Sequence, residues 1–220
     1  FLAGPARQAE ALYVLGDLFE YWAGDDDLDD PFNAKICAGL QRLSQSGVPL
    51  FFMAGNRDFL AGDGFAGKAG LTLLPDPALV EIAGASVLLM HGDTLCTDDD
   101  AYQMFRTEVR SPEWRKSFLA LPLDQRKAKI EALRQESEAQ KRAKPAEIMD
   151  VNPAAVLQVL TSHRCTRLIH GHTHRPALHR LAVAGEACER WVLPDWYERG
   201  GYLACDASGC RLLEWPPAAV

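Results

Sequence analysis

Short apolar runs bounded by Gly, Asp or Pro recur along this chain and constrain its fold more than any other feature. They occupy residues 11–17, 48–56, 80–84, 86–93, 167–172, 189–196 and 201–206. Runs of this length and composition predict buried strands. Between the first two runs, residues 31–47 place Ile36, Leu40 and Leu43 on one helical face and end at Gly47, a helix-stop residue. A strand, a helix and a strand in this order predict a layered α/β domain.

Residues 100–144 have a different character. They contain no strand pattern and read as long helices, such as "AYQMFRTEVR" and "QRKAKIEALRQESEAQKRAK". We therefore expect a core domain formed by residues 1–99 and 145–220, with residues 100–144 as a helical insertion, or lid, over the sheet.

Composition and charge exclude several classes of protein. The chain has 220 residues, 48% of them hydrophobic, which is enough for a buried core. Its formal net charge of −7 argues against nucleic acid as a partner. The six cysteines include no CxxC pair, so we expect reduced thiols. No stretch approaches the roughly 20 apolar residues of a membrane span, so any membrane contact is expected to be peripheral.

Polar side chains of metal-ligand type follow four of the expected strands. They are Asp17, Asn56, His91, and His172 with His174. Any one of them alone fits a turn, a cap or a core histidine better than a ligand. Because strand ends gather at one edge of an open α/β sheet, the four coincidences together predict a shared metal site. Mixed carboxylate, amide and imidazole ligands favour Mn²⁺, Fe²⁺ or Zn²⁺ over Ca²⁺.

Three of the six histidines fall in the stretch "LIHGHTHRP", residues 168–176. Alternate residues of an extended segment point the same way, so His172 and His174 can bind metal from one side. His170 shares that parity but lies within the apolar run. We interpret it as a structural or supporting residue.

Four sequence blocks resemble the signature blocks of the calcineurin-like metallophosphoesterases. They are "GDLFEYW" (16–22), "GNRDF" (55–59), "MHGD" (90–93) and "GHTHRP" (171–176). Arg57 stands where that family normally has a histidine. Together with "MHGDTLCTDDDAYQ" (90–103) and "KPAEIMDVN" (144–152), this makes the chain most similar to the UDP-2,3-diacylglucosamine hydrolases of lipid A biosynthesis. The resemblance implies a layered β-sandwich flanked by helices.

The resemblance also implies a reaction and a set of residues. A hydroxide bridging two divalent ions, expected to be Mn²⁺, would attack the α-phosphorus of UDP-2,3-diacylglucosamine and give UMP and 2,3-diacylglucosamine 1-phosphate. The implied metal ligands are Asp17, Asn56, His91, His172 and His174. The implied catalytic residues are Asp17, Asn56, Arg57, His91 and His172. The implied substrate contacts are Asn56, Arg57, Asp99, Tyr102, Ser137, Lys141, Lys144 and His172. Arg57 would offer a bidentate fork to a phosphate; the alternative is a surface ion pair with Asp58 or Asp63.

The family begins with an Asp-x-His motif on its first strand, and no such motif precedes Asp17. We therefore expect about two dozen further residues upstream of Phe1 in the natural protein, the usual length of a strand, a loop and part of a helix.

The helical insertion carries a basic excess. Residues 106–144 include eleven Lys or Arg and six Asp or Glu, mixed with Phe105, Trp114, Phe118, Leu119, Leu121 and Leu123. Such helices could accept acyl chains near anionic headgroups, or could simply pack on the domain with solvated outer charges. The resemblance favours the first interpretation, with a monomer bound peripherally at the cytoplasmic face of a Gram-negative inner membrane. Two other functions stay open: a phosphoesterase for soluble phosphodiesters, and a binding module without turnover.

Overall fold

The computed structural model describes residues 1–143, 148–198 and 200–215, with the side chains of residues 138–143 excepted. The chain falls into two compact units. The first unit comprises Phe1–Leu74 and Asp98–Met149, and the second comprises Pro75–Thr97 and Asp150–Val220. The described residues form ten strands, six α-helices and three short 3₁₀ helices, at Pro5–Gln8, Asp25–Asp27 and Asp93–Leu95. The α/β class expected from the sequence is confirmed.

The first unit contains a parallel three-stranded sheet. Its strands, in spatial order, are β1 (Leu12–Val14), β2 (Leu50–Met53) and β3 (Thr72–Leu74). Helix α1 (Pro31–Gln45) connects the first two strands, and the short helix α2 (Asp63–Ala69) precedes the third. Because the strands run parallel, the loops after β1 and β2 leave the same edge of the sheet.

Helix α1 forms where the sequence predicts it. Asp30 caps its first turn by accepting hydrogen bonds from the backbone N–H groups of Phe32 and Asn33. Leu40 and Leu43 are buried on the expected face. The helix ends at Gln45, two residues before the expected stop.

Aromatic side chains fill the core of the first unit. Phe19 and Trp22 are in contact, with ring centroids 4.6 Å apart, and Phe65 packs edge-on against Phe52 at 5.1 Å. All four are nearly or fully buried. Phe19 and Trp22 belong to the segment directly after β1, so their burial fixes that loop to the core.

Three helices complete the first unit: α3 (Asp100–Val109), α4 (Pro112–Leu119) and α5 (Leu123–Ala143). Residues 100–143 are thus helical, as their pattern indicates. Phe118 of α4 is 5% exposed and belongs to the core cluster, where Trp114 stacks on it at 4.6 Å. The role of residues 100–144 as a separate lid stays a prediction.

Ion pairs hold α5 to an acidic loop of the same unit. Arg126 is 2% exposed and donates to the Asp26 carboxylate and to the Ala23 carbonyl oxygen. Lys127 Nζ lies 2.7 Å from Asp27 Oδ1. Part of the basic excess of residues 106–144 is therefore neutralised inside the protein, which the sequence analysis did not anticipate.

The second unit contains a five-stranded sheet and a hairpin. The sheet strands, in spatial order, are β4 (Ala78–Ile82), β5 (Ala85–Met90), β6 (Arg167–His170), β8 (Glu186–Val192) and β7 (Ala177–Val183). Strands β5, β6 and β8 are parallel, and the outer two are antiparallel to their neighbours. Helix α6 (Pro153–His163) precedes β6, and β9 (Gly200–Asp206) pairs with β10 (Gly209–Trp215).

One expectation about the cysteines is wrong. Cys205 and Cys210 form a disulfide, because the β9–β10 register sets them directly opposite each other across a tight turn. The other four cysteines are buried free thiols, as expected. Among the described residues, no helix has the length and apolar character needed to cross a membrane.

Candidate metal centre

The loop after β1 holds Asp17 in an uncommon backbone conformation. Gly16 and Asp17 have φ angles of 84° and 54°, both in the left-handed region. A residue other than glycine adopts that region at a cost of about 1–3 kcal/mol, and such strain concentrates at functional sites. Asp17 Oδ1 accepts a hydrogen bond from the Arg57 backbone N–H at 2.9 Å. The turn thus presents a carboxylate in a fixed orientation.

Asp58 is the residue that holds this loop in place. Its side chain is fully buried and accepts hydrogen bonds from the backbone N–H groups of Gly55 (2.7 Å), Asp17 (3.2 Å), Leu18 (2.7 Å) and Phe19 (3.4 Å). One carboxylate therefore ties the loop after β2 to the loop after β1. From the sequence, Asp58 was expected only as an alternative ion-pair partner of Arg57.

Arg57 lies between acidic side chains. Its Nη1 is 2.5 Å from Glu20 Oε2, and its Nε is 3.6 Å from Asp17 Oδ2. Glu20 also accepts a hydrogen bond from Arg134 of α5 at 2.9 Å. Arg57 therefore forms ion pairs with Glu20 and Asp17, whereas the alternative expected from the sequence named Asp58 or Asp63 as the acidic partner. Asn56, the adjacent residue, is half-buried in the same loop.

The second unit brings His91 and His172 together. The parallel register pairs Met90 of β5 with His170 of β6, so the residues that follow leave the same sheet edge. The Gly171 N–H donates to the His91 carbonyl oxygen at 2.9 Å. The rings of His91 and His172 meet edge-to-face with centroids 5.1 Å apart, and His91 is fully buried.

The loop after β6 is not extended, so the expectation that its side chains alternate in direction is wrong. His172 and His174 have φ angles of 66° and 54°, and the backbone bends at residues 172 and 173. Neither position is a glycine, so the left-handed backbone there is imposed on ordinary residues. His174 Nδ1 lies 3.6 Å from Asp195 Oδ2 in the loop after β8, a partner that sequence reasoning missed.

His170 is a structural residue, as interpreted from the sequence. It is fully buried; its Nδ1 is 2.9 Å from the Gly171 carbonyl oxygen, and Arg190 donates to its Nε2 at 3.1 Å. Burial lowers the pKa of His170 to about 4. The ring is therefore neutral at physiological pH, with Nδ1–H as donor and Nε2 as acceptor.

Besides Asn56, Arg57 and His172, the expected substrate contacts fall in or next to residues 100–144. Asp99 caps α3 by accepting from the Tyr102 backbone N–H at 3.1 Å, and Tyr102 is half-buried. Ser137 is exposed on α5. Lys141 belongs to α5 but its side chain is outside the described part, and Lys144 lies outside the described residues. Their roles stay predictions.

The apolar side chains expected to hold acyl chains divide into two groups. Trp114, Phe118 and Leu121 pack against the core of the first unit. Phe105 and Leu119 are 41% and 40% exposed, and Met104, which precedes Phe105 in the chain, is 74% exposed. Leu123 is half-buried. The exposed group offers apolar surface to another molecule.

The donor set suits a divalent metal ion. Three candidate metal ligands lie in the described part of the chain, Asp17 in the first unit and His91 and His172 in the second, and each can offer one ligand atom. A carboxylate oxygen with two imidazole nitrogens matches Mn²⁺, Fe²⁺ or Zn²⁺. The left-handed backbone at Asp17 and His172 adds an independent sign that these side chains are held in fixed orientations.

Comparison with known proteins identifies the family. The calcineurin-like phosphoesterase family model matches residues 3–176. The UDP-2,3-diacylglucosamine hydrolase of Aromatoleum aromaticum is 53% identical over 220 residues, which cover 100% of this chain and 87% of that protein. The proteins of the same name from Enterobacter sp. and Aeromonas hydrophila are 49% and 50% identical, over 98% and 96% of this chain and 90% and 88% of theirs. The chain is therefore a metal-dependent hydrolase of the calcineurin-like phosphoesterase family and belongs to its UDP-2,3-diacylglucosamine hydrolase branch.

Proposed function

We propose that this hydrolase cleaves the pyrophosphate of UDP-2,3-diacylglucosamine, in the pathway to lipid A. Water attacks the α-phosphorus, and the products are UMP and 2,3-diacylglucosamine 1-phosphate. The observation that carries the proposal is the near 50% identity, over almost the whole chain, to relatives bearing that name. The candidate metal ligands of the two units support it, because bound divalent metal ions assist pyrophosphate cleavage.

We propose that the protein holds two divalent ions, with Mn²⁺ as the physiological metal. The protein ligands proposed from the family motifs are Asp17, Asn56, His91, His172 and His174. When bound, the ions supply positive charge to the phosphoryl oxygens and lower the pKa of the attacking water. The described residues fit this role, since Asp17 and the two paired imidazoles are ligands of the required type.

The other polar residues of the loops after β1 and β2 position the substrate in this proposal. Arg57 presents a planar guanidinium directly beside Asp17, so it is suited to bind a phosphate oxygen next to the reacting phosphorus. Its ion pair with Glu20 restrains the guanidinium before substrate binds. Asp58 acts through the backbone, because it fixes the loops that carry Asp17 and Arg57.

We expect Arg57→Ala to impair turnover while leaving metal content nearly unchanged. A charged hydrogen bond to bound phosphate contributes about 1.5–3 kcal/mol, which corresponds to roughly ten- to a hundredfold in kcat/KM. Steady-state kinetics and metal analysis on the same preparation measure both quantities. Arg57→Lys is the matched variant and should restore only part of the rate, since a point charge does not reproduce the fork. Equal loss of metal and rate in Arg57→Ala would contradict this role.

The helices of the first unit are proposed to bind the lipid half of the substrate. Exposed Met104, Phe105 and Leu119 offer apolar surface for acyl chains. Polar contacts to the sugar phosphate are proposed for Asp99, Tyr102, Ser137, Lys141 and Lys144. We further propose that the protein acts as a monomer that binds peripherally at the cytoplasmic face of a Gram-negative inner membrane, where such a lipid substrate resides.

A comparison of three substrates tests the proposed function. The full-length, Mn²⁺-loaded protein is assayed with UDP-2,3-diacylglucosamine, with UDP-N-acetylglucosamine and with a small activated phosphodiester. We expect kcat/KM for the diacylated substrate to exceed the other two by at least about a hundredfold, because only that substrate engages the apolar surface. Equal rates would favour an esterase for soluble phosphodiesters. Tight binding of the lipid without turnover would favour a binding module.

A further inference from the structure

A pocket lies on one face of the second unit, where β7 and β8 meet the loop after β6. The antiparallel register sets His179 opposite Arg190 and Ala177 opposite Val192, so these side chains share a face of the sheet. The pocket has a volume of about 280 Å³. The side chains that carry the argument below are Asp150, Thr173, Arg175, His179, Arg190 and Val192.

The residues that line the pocket include two guanidinium groups, on Arg175 and Arg190, and a single carboxylate, on Asp150, which attracts both. Arg175 pairs with Asp150. Arg190 is hydrogen-bonded to His170, and no carboxylate oxygen lies within 4.0 Å of its guanidinium in the part of the chain that the structure describes. Burial lowers the pKa of Arg190, although a guanidinium remains charged at any physiological pH. Because the Asp150 carboxylate is already ion-paired with Arg175, an anion that enters this pocket beside the half-buried Arg190 would be stabilised.

A hydroxyl group in the same pocket also lacks a partner. Thr173 Oγ1 is buried and makes no hydrogen bond with any residue that the structure describes. A buried hydroxyl normally makes a hydrogen bond. The unsatisfied Thr173 hydroxyl therefore indicates that a ligand could supply the missing donor or acceptor. Thr173 stands between His172 and His174 in the chain, which links the pocket directly to the loop that carries the proposed metal ligands.

The chemistry of the pocket matches a nucleoside monophosphate. Arg190 and Thr173 offer hydrogen-bond donors to phosphate oxygens, and the Asp150 carboxylate can accept from ribose hydroxyls. Val192 contributes an apolar surface beside these polar groups, against which a flat base can lie. The volume suits a nucleotide and is too small for a diacylated sugar.

We propose that this pocket binds the uridylate half of the substrate and retains it as UMP after cleavage. This inference rests on the proposed function for the identity of the nucleotide. It divides recognition between separate sets of residues: the lipid half by the helices of the first unit, and the nucleotide half by β7, β8 and the loop after β6.

Equilibrium binding of the two reaction products tests the pocket. Isothermal calorimetry measures the Kd of UMP and of 2,3-diacylglucosamine 1-phosphate for the Mn²⁺-loaded, full-length protein. Arg190→Gln should weaken UMP binding roughly ten- to a hundredfold and leave the Kd of the lipid product unchanged. The matched control is Arg180→Gln, since Arg180 is exposed on β7 next to His179 and faces the other side of the sheet. That control should leave both Kd values unchanged.

The outcomes separate this inference from the proposed function. Unchanged UMP affinity in Arg190→Gln, or an equal loss for both products, would overturn the pocket assignment whatever the enzyme hydrolyses. Weakened UMP binding in a protein that does not cleave UDP-2,3-diacylglucosamine would support the pocket and overturn the proposed function. If Arg190→Gln does not fold, Thr173→Val removes only the hydroxyl group; reduced UMP affinity in that variant supports the assignment, and unchanged affinity contradicts it.

Discussion

His91→Ala is expected to lower kcat by about three orders of magnitude or more and to reduce the bound metal. His91 is fully buried directly after β5, and its ring contacts that of His172, so its imidazole is held in a fixed position. Removing a ligand weakens the binding of the metal ion. The positive charge that the ion supplies to the phosphoryl group, which stabilises the transition state by several kcal/mol, is then reduced.

Metal analysis and steady-state kinetics on one preparation measure this effect. His163→Ala is the matched control, because His163 lies at the end of α6 in the same unit and hydrogen-bonds only locally, to the Val159 carbonyl oxygen and to Ser162. The control should retain both metal and activity. Full metal content and full activity in His91→Ala would remove His91 from the ligand set.

Asp58→Ala is expected to have the largest effect on stability. The substitution deprives four buried or half-buried backbone N–H groups of one charged acceptor. Hydrogen bonds to a charged group contribute about 1.5–3 kcal/mol each and are not additive, so we expect the free energy of unfolding to fall by about 3–5 kcal/mol. Activity should fall as well, because the loops that carry Asp17 and Arg57 lose their common anchor.

Chemical denaturation followed by circular dichroism measures the change in stability. Asp63→Ala is the control, since Asp63 is an exposed carboxylate a few residues further along the same unit. Loss of this carboxylate should lower the free energy of unfolding by less than about 1 kcal/mol, as is usual for a surface residue near a helix N-terminus. The stability of Asp58→Asn should lie between those of Asp58→Ala and Asp63→Ala, because the amide keeps one acceptor oxygen. An Asp58→Ala protein as stable as the control would contradict the anchoring role.

Strands and helices with strong local signals were predictable from the sequence. The apolar runs before Asp17 and His91 do form strands, and α1 follows its periodicity and its cap. Helix α6 was missed because its apolar residues surround the helix without a clear stripe, although Asn152 and Pro153 are a typical N-cap and first-turn pair. The hairpin of β7 and β8 was missed because the signal is its turn, in which Ala184 and Gly185 both have positive φ.

The candidate site was only partly predictable, for a physical reason. Residue type and strand-end position identify Asp17, His91 and His172 as candidate ligands, because both are properties of the local sequence. The anchoring role of Asp58 depends on N–H groups about 40 residues away in the chain, so local sequence carries no trace of it. The same holds for Arg190, which lies beside His170 and close to the charge of Asp150 only when β6, β7 and β8 assemble.

Hydrolysis in ¹⁸O-labelled water tests the central claim most directly. The Mn²⁺-loaded, full-length protein is incubated with UDP-2,3-diacylglucosamine in this solvent, and both products are analysed by mass spectrometry, with a chelator-treated sample in parallel. Metal-dependent attack on the α-phosphorus predicts one ¹⁸O atom in UMP, unlabelled 2,3-diacylglucosamine 1-phosphate, and no products after chelation. Label in the lipid product, or no cleavage in the metal-loaded sample, would contradict it.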